Sequence, residues 1–191
     1  MYTLCATEKD AALQRKFELT FLEMLLEMPY DNIPVSEVCR RAGCSRKVFY
    51  RLFEQKTDIL TALIDHTLLD FENYVPDASV GKGNLHRFFG YWKTQHRLLD
   101  ALNAQQATGL LTERAIRHVL CEDSLVLKTF GAEDSGFGRE TVVFFLSGVF
   151  ALVRDWHASG YKRSIDEMSA LLMGLLSTTP IKRHIPQWWN Q

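Results

Sequence analysis

The stretch that decides the fold of this chain is VSEVCRRAGCSRKVFYRLF, residues Val35 to Phe53. Its apolar spacing predicts two short helices, over 35–42 and 46–53, joined by a tight turn at Gly43. Ser45 stands where it can cap the second helix, because a serine oxygen accepts a hydrogen bond from an unpaired N–H group there. The positions predicted to face inward are Val38, Ala42, Val48, Phe49, Leu52 and Phe53. This pattern is typical of a helix-turn-helix.

Charge is distributed unevenly along the 191 residues, although the formal net charge is only −1. Residues 38–56 hold six basic and one acidic side chain, a net of +5. Residues 1–37 hold three basic and seven acidic, and residues 57–191 hold 13 and 15. A cationic segment in an otherwise acidic chain is what contact with phosphates requires. A solvated charged face is the alternative, and the coincidence with the helix-turn-helix pattern argues against it.

The second helix of the motif carries the candidate contacts to nucleic acid. Ser45, Arg46 and Lys47 stand at its start, the end that recognition helices present to base edges. Arginine and lysine bond guanine O6 and N7. Tyr50, one turn further on, can give its hydroxyl to a phosphate, and Lys56 suits contact with the backbone. The remaining basic candidates are Arg40 and Arg51.

Helical periodicity continues through the rest of the chain. The predicted helices cover 9–28, 57–75, 84–102, 109–121, 139–159 and 165–177. Thr57 or Asp58 is expected to cap the helix at 57–75. Residues 122–138 contain three glycines and stay ambiguous. Because no convincing pair of strands is visible, the sequence predicts an all-α fold.

The cluster PDASVGKG, residues 76–83, is the clearest turn signal and the best candidate boundary. The predicted organisation is a helix-turn-helix domain at 1–56, a connecting helix at 57–75 and a helical regulatory and dimerisation domain at 84–191. The end of the chain carries Trp188 and Trp189. This pair can dock on the body or a partner, or belong to a mobile tail.

Several classes of protein are excluded by composition. The longest charge-free stretches hold 13 and 14 residues (141–153 and 168–181), short of the roughly 20 that a membrane span needs. The N-terminus lacks the basic and apolar segments of a secretory signal. Four cysteines without a C-x-x-C spacing favour a reduced, cytoplasmic protein.

No enzyme activity, cofactor or metal is predicted. His118 and Cys121 are three residues apart on a predicted helix and could share a metal, but a third ligand is missing. Neither G-x-S-x-G, H-E-x-x-H nor a P-loop occurs in the sequence.

The first ~70 residues resemble the DNA-binding domain of TetR/AcrR-family transcriptional regulators. The matching runs are PYDNIPVSEV (29–38), AGCSRKVFYRLF (42–53) and Lys56. The resemblance implies that the family's DNA-contact positions fall on Val35, Ser45, Arg46, Lys47, Tyr50 and Lys56. Two positions depart from the pattern: many members have a small residue at Lys47 and a histidine at Leu52. Lys47 can therefore reach a base or a phosphate. Leu52, unlike a histidine, has no side-chain N–H that could donate a hydrogen bond to a phosphate.

The runs RKVFY (46–50) and Pro29-Tyr30 further resemble a subgroup that includes dihydroxyacetone-kinase regulators. Its long penultimate helix is similar to 145–160 here. The family resemblance implies dimerisation through the last two long helices. Independently, the helix at 139–159 is apolar on more than one side, and burial within the monomer is the alternative. The predicted interface residues are Phe145, Gly148, Val149, Leu152, Trp156, Met168, Leu172 and Leu175.

The resemblance also implies a ligand pocket inside the C-terminal helices. The candidate lining residues are Phe88, Phe89, Trp92, His96, Phe130 and Phe144. An ordinary aromatic core explains these residues equally well.

The sequence thus predicts a ligand-responsive transcriptional regulator, a repressor that binds a palindromic DNA operator as a homodimer. An unknown small-molecule effector is expected to favour the geometry that does not bind DNA. The alternative is a co-activator or protein-interaction module that does not bind DNA. Leu52 and the acidic first helix motivate that alternative.

Overall fold

The computed structural model describes residues 7–74, 82–121 and 138–177. Within these ranges all regular structure is helical and no strand occurs, so the all-α prediction is confirmed. The helices are α1 (Glu8–Glu27), α2 (Val35–Arg41), α3 (Arg46–Leu52), α4 (Lys56–Tyr74), α5 (Lys82–Thr94), α6 (His96–Ala104), α7 (Thr108–Cys121), α8 (Gly138–Ala158) and α9 (Ile165–Ser177), with a 3₁₀ turn at Tyr30–Asn32.

Helices α1 to α3 pack around a small aromatic core. The ring of Phe17 on α1 meets those of Phe49 and Phe53 edge to face, with centroids 5.7 and 5.8 Å apart. All three side chains are fully or almost fully buried. Since α2 and α3 have only seven residues each, they are too short to be stable alone and depend on this packing.

The start of α4 differs from the prediction. The helix begins at Lys56, so Thr57 and Asp58 lie inside its first turn instead of preceding it. Asp58 nevertheless performs the capping chemistry: its Oδ2 accepts hydrogen bonds from the N–H groups of Glu54 (3.0 Å) and Gln55 (3.1 Å). The carboxylate reaches backwards from within the helix, which a search for a preceding cap residue does not anticipate.

The single helix predicted at 84–102 is wrong. The chain bends at Gln95, whose φ and ψ are −85° and 21°, and forms α5 and α6. The bend lets α5 pack on α9 while α6 packs on α1. Apolar periodicity continues on both sides of the bend, and neither proline nor glycine marks it, so the pattern shows no break.

The C-terminal half is built around α5. Its Phe88 and Trp92 pack against Phe150 of α8, with the Trp92 and Phe150 ring centroids 5.0 Å apart. Over Arg139–Ala158, α8 is long and apolar enough to cross a membrane. Helices of this length and composition also occur in protein cores, and α8 packs against α5, α6 and α7.

Both halves meet where α1 packs on α4 and α6, and α4 packs on α7. His66 of α4 hydrogen-bonds the fully buried Glu18 of α1 at 2.9 Å. That bond raises the pKa of the His66 imidazole. Arg114 of α7 holds Asp65 of α4 through two hydrogen bonds. Side-chain contacts therefore link the connecting helix α4 to both halves.

Candidate nucleic-acid interface

The turn between α2 and α3 has the geometry that the sequence predicts. Gly43 adopts φ +60°, a left-handed conformation that glycine takes at little cost. The Ser45 hydroxyl accepts a hydrogen bond from the Val48 N–H at 3.3 Å and caps α3. Ala42 is fully buried, which lets the two helices approach closely. The start of α3 is therefore fixed by local hydrogen bonds.

Three predicted contact residues share the solvent-exposed side of α3. Arg46, Lys47 and Tyr50 are all exposed, Tyr50 by 60%. Phe49 is fully buried between them and the core, and its ring meets that of Tyr50 edge to face at 5.1 Å. The buried phenylalanine thus orients the tyrosine that follows it.

The flanking arginines of the basic segment are paired with acidic side chains. Arg40 binds Glu37 through two hydrogen bonds of 2.6 and 2.8 Å. Arg41 binds Glu37 at 3.0 Å and Glu27 at 2.5 Å. The bonds from Arg40 and then Arg41 lower the pKa of Glu37 to about 2. The spacings of three and four residues on one helix favour the Glu37 pairs, and sequence reasoning missed them.

Arg51 is also paired, with Asp10 of α1 at 2.5 Å. The two residues lie 41 positions apart, so no local pattern reveals the pair. In contrast, no acidic partner contacts Arg46 or Lys47 in the part of the chain that the structure describes. The start of α3 therefore presents two exposed positive charges that no acidic side chain of the described residues offsets.

Lys56 has a different environment. Its ammonium donates to the carbonyls of Tyr30 at 2.7 Å and Ile33 at 3.2 Å, and lies 4.2 Å from the centre of the Tyr30 ring. These contacts tie α4 to the 3₁₀ turn before α2. Val35 is half-buried at the first position of α2. Contacts of Val35, Lys56 and the other candidates with DNA stay predictions.

The residues predicted to line a ligand pocket are not gathered in one place. Phe88 and Trp92 belong to the aromatic core, together with the buried Phe89. His96 is exposed and Phe144 is 75% exposed. Phe130 lies outside the described residues.

A cavity of about 480 Å³ lies elsewhere, between α6, α7 and α8. Its volume is within the ~300–1,000 Å³ typical of small-molecule sites. Leu99, Leu102 and Ile116 contribute apolar surface, and Arg154 and His157 contribute polar groups. His157 bonds Asp100 at 2.8 Å. The cavity was not predicted because its walls come from three helices whose relative placement the sequence does not state.

Half of the predicted interface residues are core residues. Val149, Trp156, Met168 and Leu172 are between 2 and 4% exposed, so they stabilise the monomer and have almost no surface left for a partner. Phe145 and Leu152 are partly buried, while Gly148 is exposed. The exposed large apolar side chains of α8 and α9 are Val143, Phe144 and Leu175. Leu175 and Gly148 keep the exposed surface that an interface needs, and an interface between two copies stays a prediction.

The possible metal site at His118 and Cys121 has no third ligand among the described residues. His118 Nε2 lies 2.9 Å from a carboxylate oxygen of Glu72. No cluster of three metal-binding side chains occurs among residues 7–74, 82–121 and 138–177. Trp188 and Trp189 lie outside the described residues, as does most of the predicted boundary at 76–83.

Comparison with known proteins adds information on the fold. No family model matches the chain, and no curated protein matches its sequence. Lin0861 from Listeria innocua has a similar structure, with a TM-score of 0.71 and 15% identity over 92% of this chain and 94% of that one. The dihydroxyacetone kinase operon activator DhaS is similar with a TM-score of 0.57 and 14% identity over 86% and 93%. At such identities the likeness shows a shared helical fold.

Proposed function

We propose that this chain is a TetR/AcrR-type transcriptional regulator that binds operator DNA through the start of α3. The observation that carries the proposal is the side of α3 with Arg46, Lys47 and Tyr50, exposed and without an acidic partner among the described residues. The flanking arginines Arg40, Arg41 and Arg51 are paired with Glu37, Glu27 and Asp10. This pairing favours contact through the start of α3, a helix end that fits the major groove.

A salt titration tests the proposal on DNA selected from a random pool. Binding through several phosphates gives a steep fall of log K with log salt, with a slope of about −0.9 per phosphate. Lys47→Ala is expected to weaken binding, and the slope falls by about 1 if the ammonium contacts a phosphate. Lys162→Ala is the matched control, because Lys162 is exposed between α8 and α9. Unchanged affinity in Lys47→Ala and Tyr50→Phe refutes the assignment.

The proposed active form is a cytoplasmic homodimer, because paired recognition helices read half-sites about 34–36 Å apart. The exposed apolar side chains of α8 and α9, Phe144 and Leu175 above all, support this assembly. Phe144→Asp is expected to give a monomer in light scattering, whereas Leu19→Asp, at a 48% exposed leucine of α1, leaves the mass unchanged. The same mass for both variants contradicts an interface at Phe144.

The proposed regulator responds to a small-molecule effector, and its proposed effect on transcription is repression. We assign the effector to the cavity between α6, α7 and α8 in place of the predicted aromatic set. A co-activator that does not bind DNA is the second candidate, and it is kept because one structural neighbour, DhaS, is an operon activator. A flat salt response with selected DNA supports that second reading.

A further inference from the structure

Gln105 joins the two halves of the molecule through its side-chain amide. Its Oε1 accepts a hydrogen bond from the N–H of Tyr30 at 2.7 Å. Its Nε2 donates to the carbonyls of Leu25 at 2.9 Å and Met28 at 3.2 Å. These partners precede Gln105 by 75 to 80 positions. One side chain from the end of α6 therefore binds three backbone groups at the end of α1.

The backbone of α1 requires this partner. Within a helix, the Leu25 carbonyl would accept the N–H of the residue four positions later. That residue is Pro29, which has no N–H. The Gln105 amide supplies the missing donor. The last carbonyls of a helix are costly to leave unpaired when they are partly buried.

The Tyr30 peptide is held from two sides. Its N–H donates to the side chain of Gln105 at the C-cap of α6, and its carbonyl accepts from Lys56 of α4. The 3₁₀ turn that it opens leads directly into α2. Any movement of α6 relative to α4 therefore acts on the peptide that enters the helix-turn-helix.

The other side of α6 forms part of the cavity wall. Leu99, Leu102 and Asn103 line the cavity, and Gln105 caps the same helix. The chain then turns sharply into α7, with Gln106 at φ +54° and the Ala107 N–H bonded to the Leu102 carbonyl at 2.8 Å. Gln105 thus directly follows the part of α6 that lines the cavity.

A second link between α6 and α1 is weaker. The ion pair of Arg97 with Glu23 has both side chains about half exposed, and exposed pairs contribute little. Gln105 makes three directional bonds to partly buried backbone.

We propose that Gln105 is the positioning residue through which occupancy of the cavity between α6, α7 and α8 is transmitted to the helix-turn-helix. This inference rests on the proposed function, and it names the regulatory contact. An occupant that shifts α6 changes the bonds at Leu25, Met28 and Tyr30. The orientation of α2 and α3 then changes with these bonds. The size of the change in DNA affinity is limited by how much more tightly the occupant binds one arrangement than the other.

The first experiment measures the contact itself. Gln105→Met keeps the length of the side chain and removes the amide, so exchange of the Tyr30 N–H is expected to accelerate about 10-fold or more in NMR hydrogen exchange. Gln95→Met is the matched control, because Gln95 stands at the other end of α6 and, among the described residues, its side chain bonds Thr94 alone. Gln105→Ala is the second variant if Gln105→Met does not fold. Unchanged exchange at Tyr30 overturns the inference.

The second experiment measures transmission with a double-mutant cycle. Ala151→Trp, at an exposed cavity-lining residue, partly fills the cavity and is expected to change operator affinity at least about 5-fold. In the Gln105→Met background this change is expected to disappear, while the salt slope stays that of the unmodified protein because no phosphate contact is lost. An equal change in both backgrounds, or no change in either, overturns the inference. Failure of the unmodified protein to bind selected DNA refutes the proposed function instead, and the Tyr30 exchange rate still tests the contact.

Discussion

Two turns in this molecule have the same backbone conformation. The helix after one turn begins with basic residues, and the helix after the other begins with acidic residues. In the first, Gly43 at φ +60° ends α2, and Cys44 N–H bonds the Cys39 carbonyl at 2.9 Å. In the second, Gly160 at φ +70° ends α8, and Tyr161 N–H bonds the Trp156 carbonyl at the same distance. Both are Schellman-type helix ends.

The helices that follow the two turns are both capped by serine. Ser45 caps α3, and Ser164 caps α9 by accepting the Glu167 N–H at 3.2 Å. The first turn of α9 carries two acids, Asp166 and Glu167, whereas that of α3 carries none. Acids near a helix N-terminus are stabilising. Helix α3 instead begins with two cations, which local stability does not favour, and such a violation is expected at a functional position.

The largest expected effect comes from removing the aromatic side chain beneath each turn. Phe49 and Trp156 are at most 2% exposed, so Phe49→Ala and Trp156→Ala should each lower the free energy of unfolding by ~3–5 kcal/mol. Urea denaturation measures this loss. Tyr50→Ala, beside Phe49 but 60% exposed, should cost far less, and an equal loss in Tyr50→Ala would contradict the packing role.

Next in size are the two glycines. Gly43→Ala and Gly160→Ala each place a side chain at positive φ, which should lower the free energy of unfolding by about 1–2 kcal/mol. An added Cβ at Gly43 meets only the end of Lys16, at 3.6 Å, and one at Gly160 meets nothing within 4 Å. The stability losses should therefore be similar in thermal unfolding. Operator binding should fall more in Gly43→Ala, and an equal fall in both would show that the first turn has no special role.

A smaller effect, of opposite sign, separates stability from function. Lys47→Glu places an acid in the first turn of α3 and should stabilise the fold by about 0.3–1 kcal/mol. The same change should abolish operator binding. Glu167→Lys is the converse change in α9, where it should destabilise without affecting DNA contact. The comparison of the two turns fails if Lys47→Glu lowers the melting temperature while Glu167→Lys raises it.

The smallest expected effect is the response of two carboxylates, Glu37 and Glu167, to low pH. Hydrogen bonds from the backbone and then the side chain of Ser164 lower the pKa of Glu167, and Arg40 and Arg41 hold that of Glu37 at about 2. Both carboxylates stabilise the fold above the usual carboxyl pKa, and each contribution is lost as pH falls through the lowered value. Carboxyl titration by NMR should show Glu37 still ionised at pH 3. A normal titration midpoint for Glu37 would contradict its pairing with two arginines.

Local features of the sequence predicted the helix-turn-helix well. Gly43, Ser45 and the inward apolar positions act over a few residues, so their hydrogen bonds and burial follow from spacing. The pairing of Arg51 with Asp10 and the contacts of Gln105 depend on how distant helices pack, and no spacing rule contains that information. The bend at Gln95 was missed because polar and apolar residues continue the helical period through it.

The C-terminal half shows the limit of periodicity in another way. The pattern in α8 and α9 identifies apolar residues but does not say which of two apolar faces covers the monomer core. Trp156 and Met168 were therefore predicted at an interface and lie in the core, while Phe144 was predicted in a pocket and lies at the surface. The helices were predictable from residue type, whereas the faces required the three-dimensional packing.

The proline after α1 has a consequence for protein engineering. Because Pro29 leaves the Leu25 carbonyl to Gln105 at the C-cap of α6, residues 7–74 depend on a donor from the other half of the molecule. A chimaera that grafts them onto the C-terminal half of another protein with this fold inherits an incomplete helix end unless the recipient supplies an amide at the position of Gln105. Recombination between proteins of this fold is thus restricted to recipients that already carry a matching donor, or to crossover points beyond Gln105.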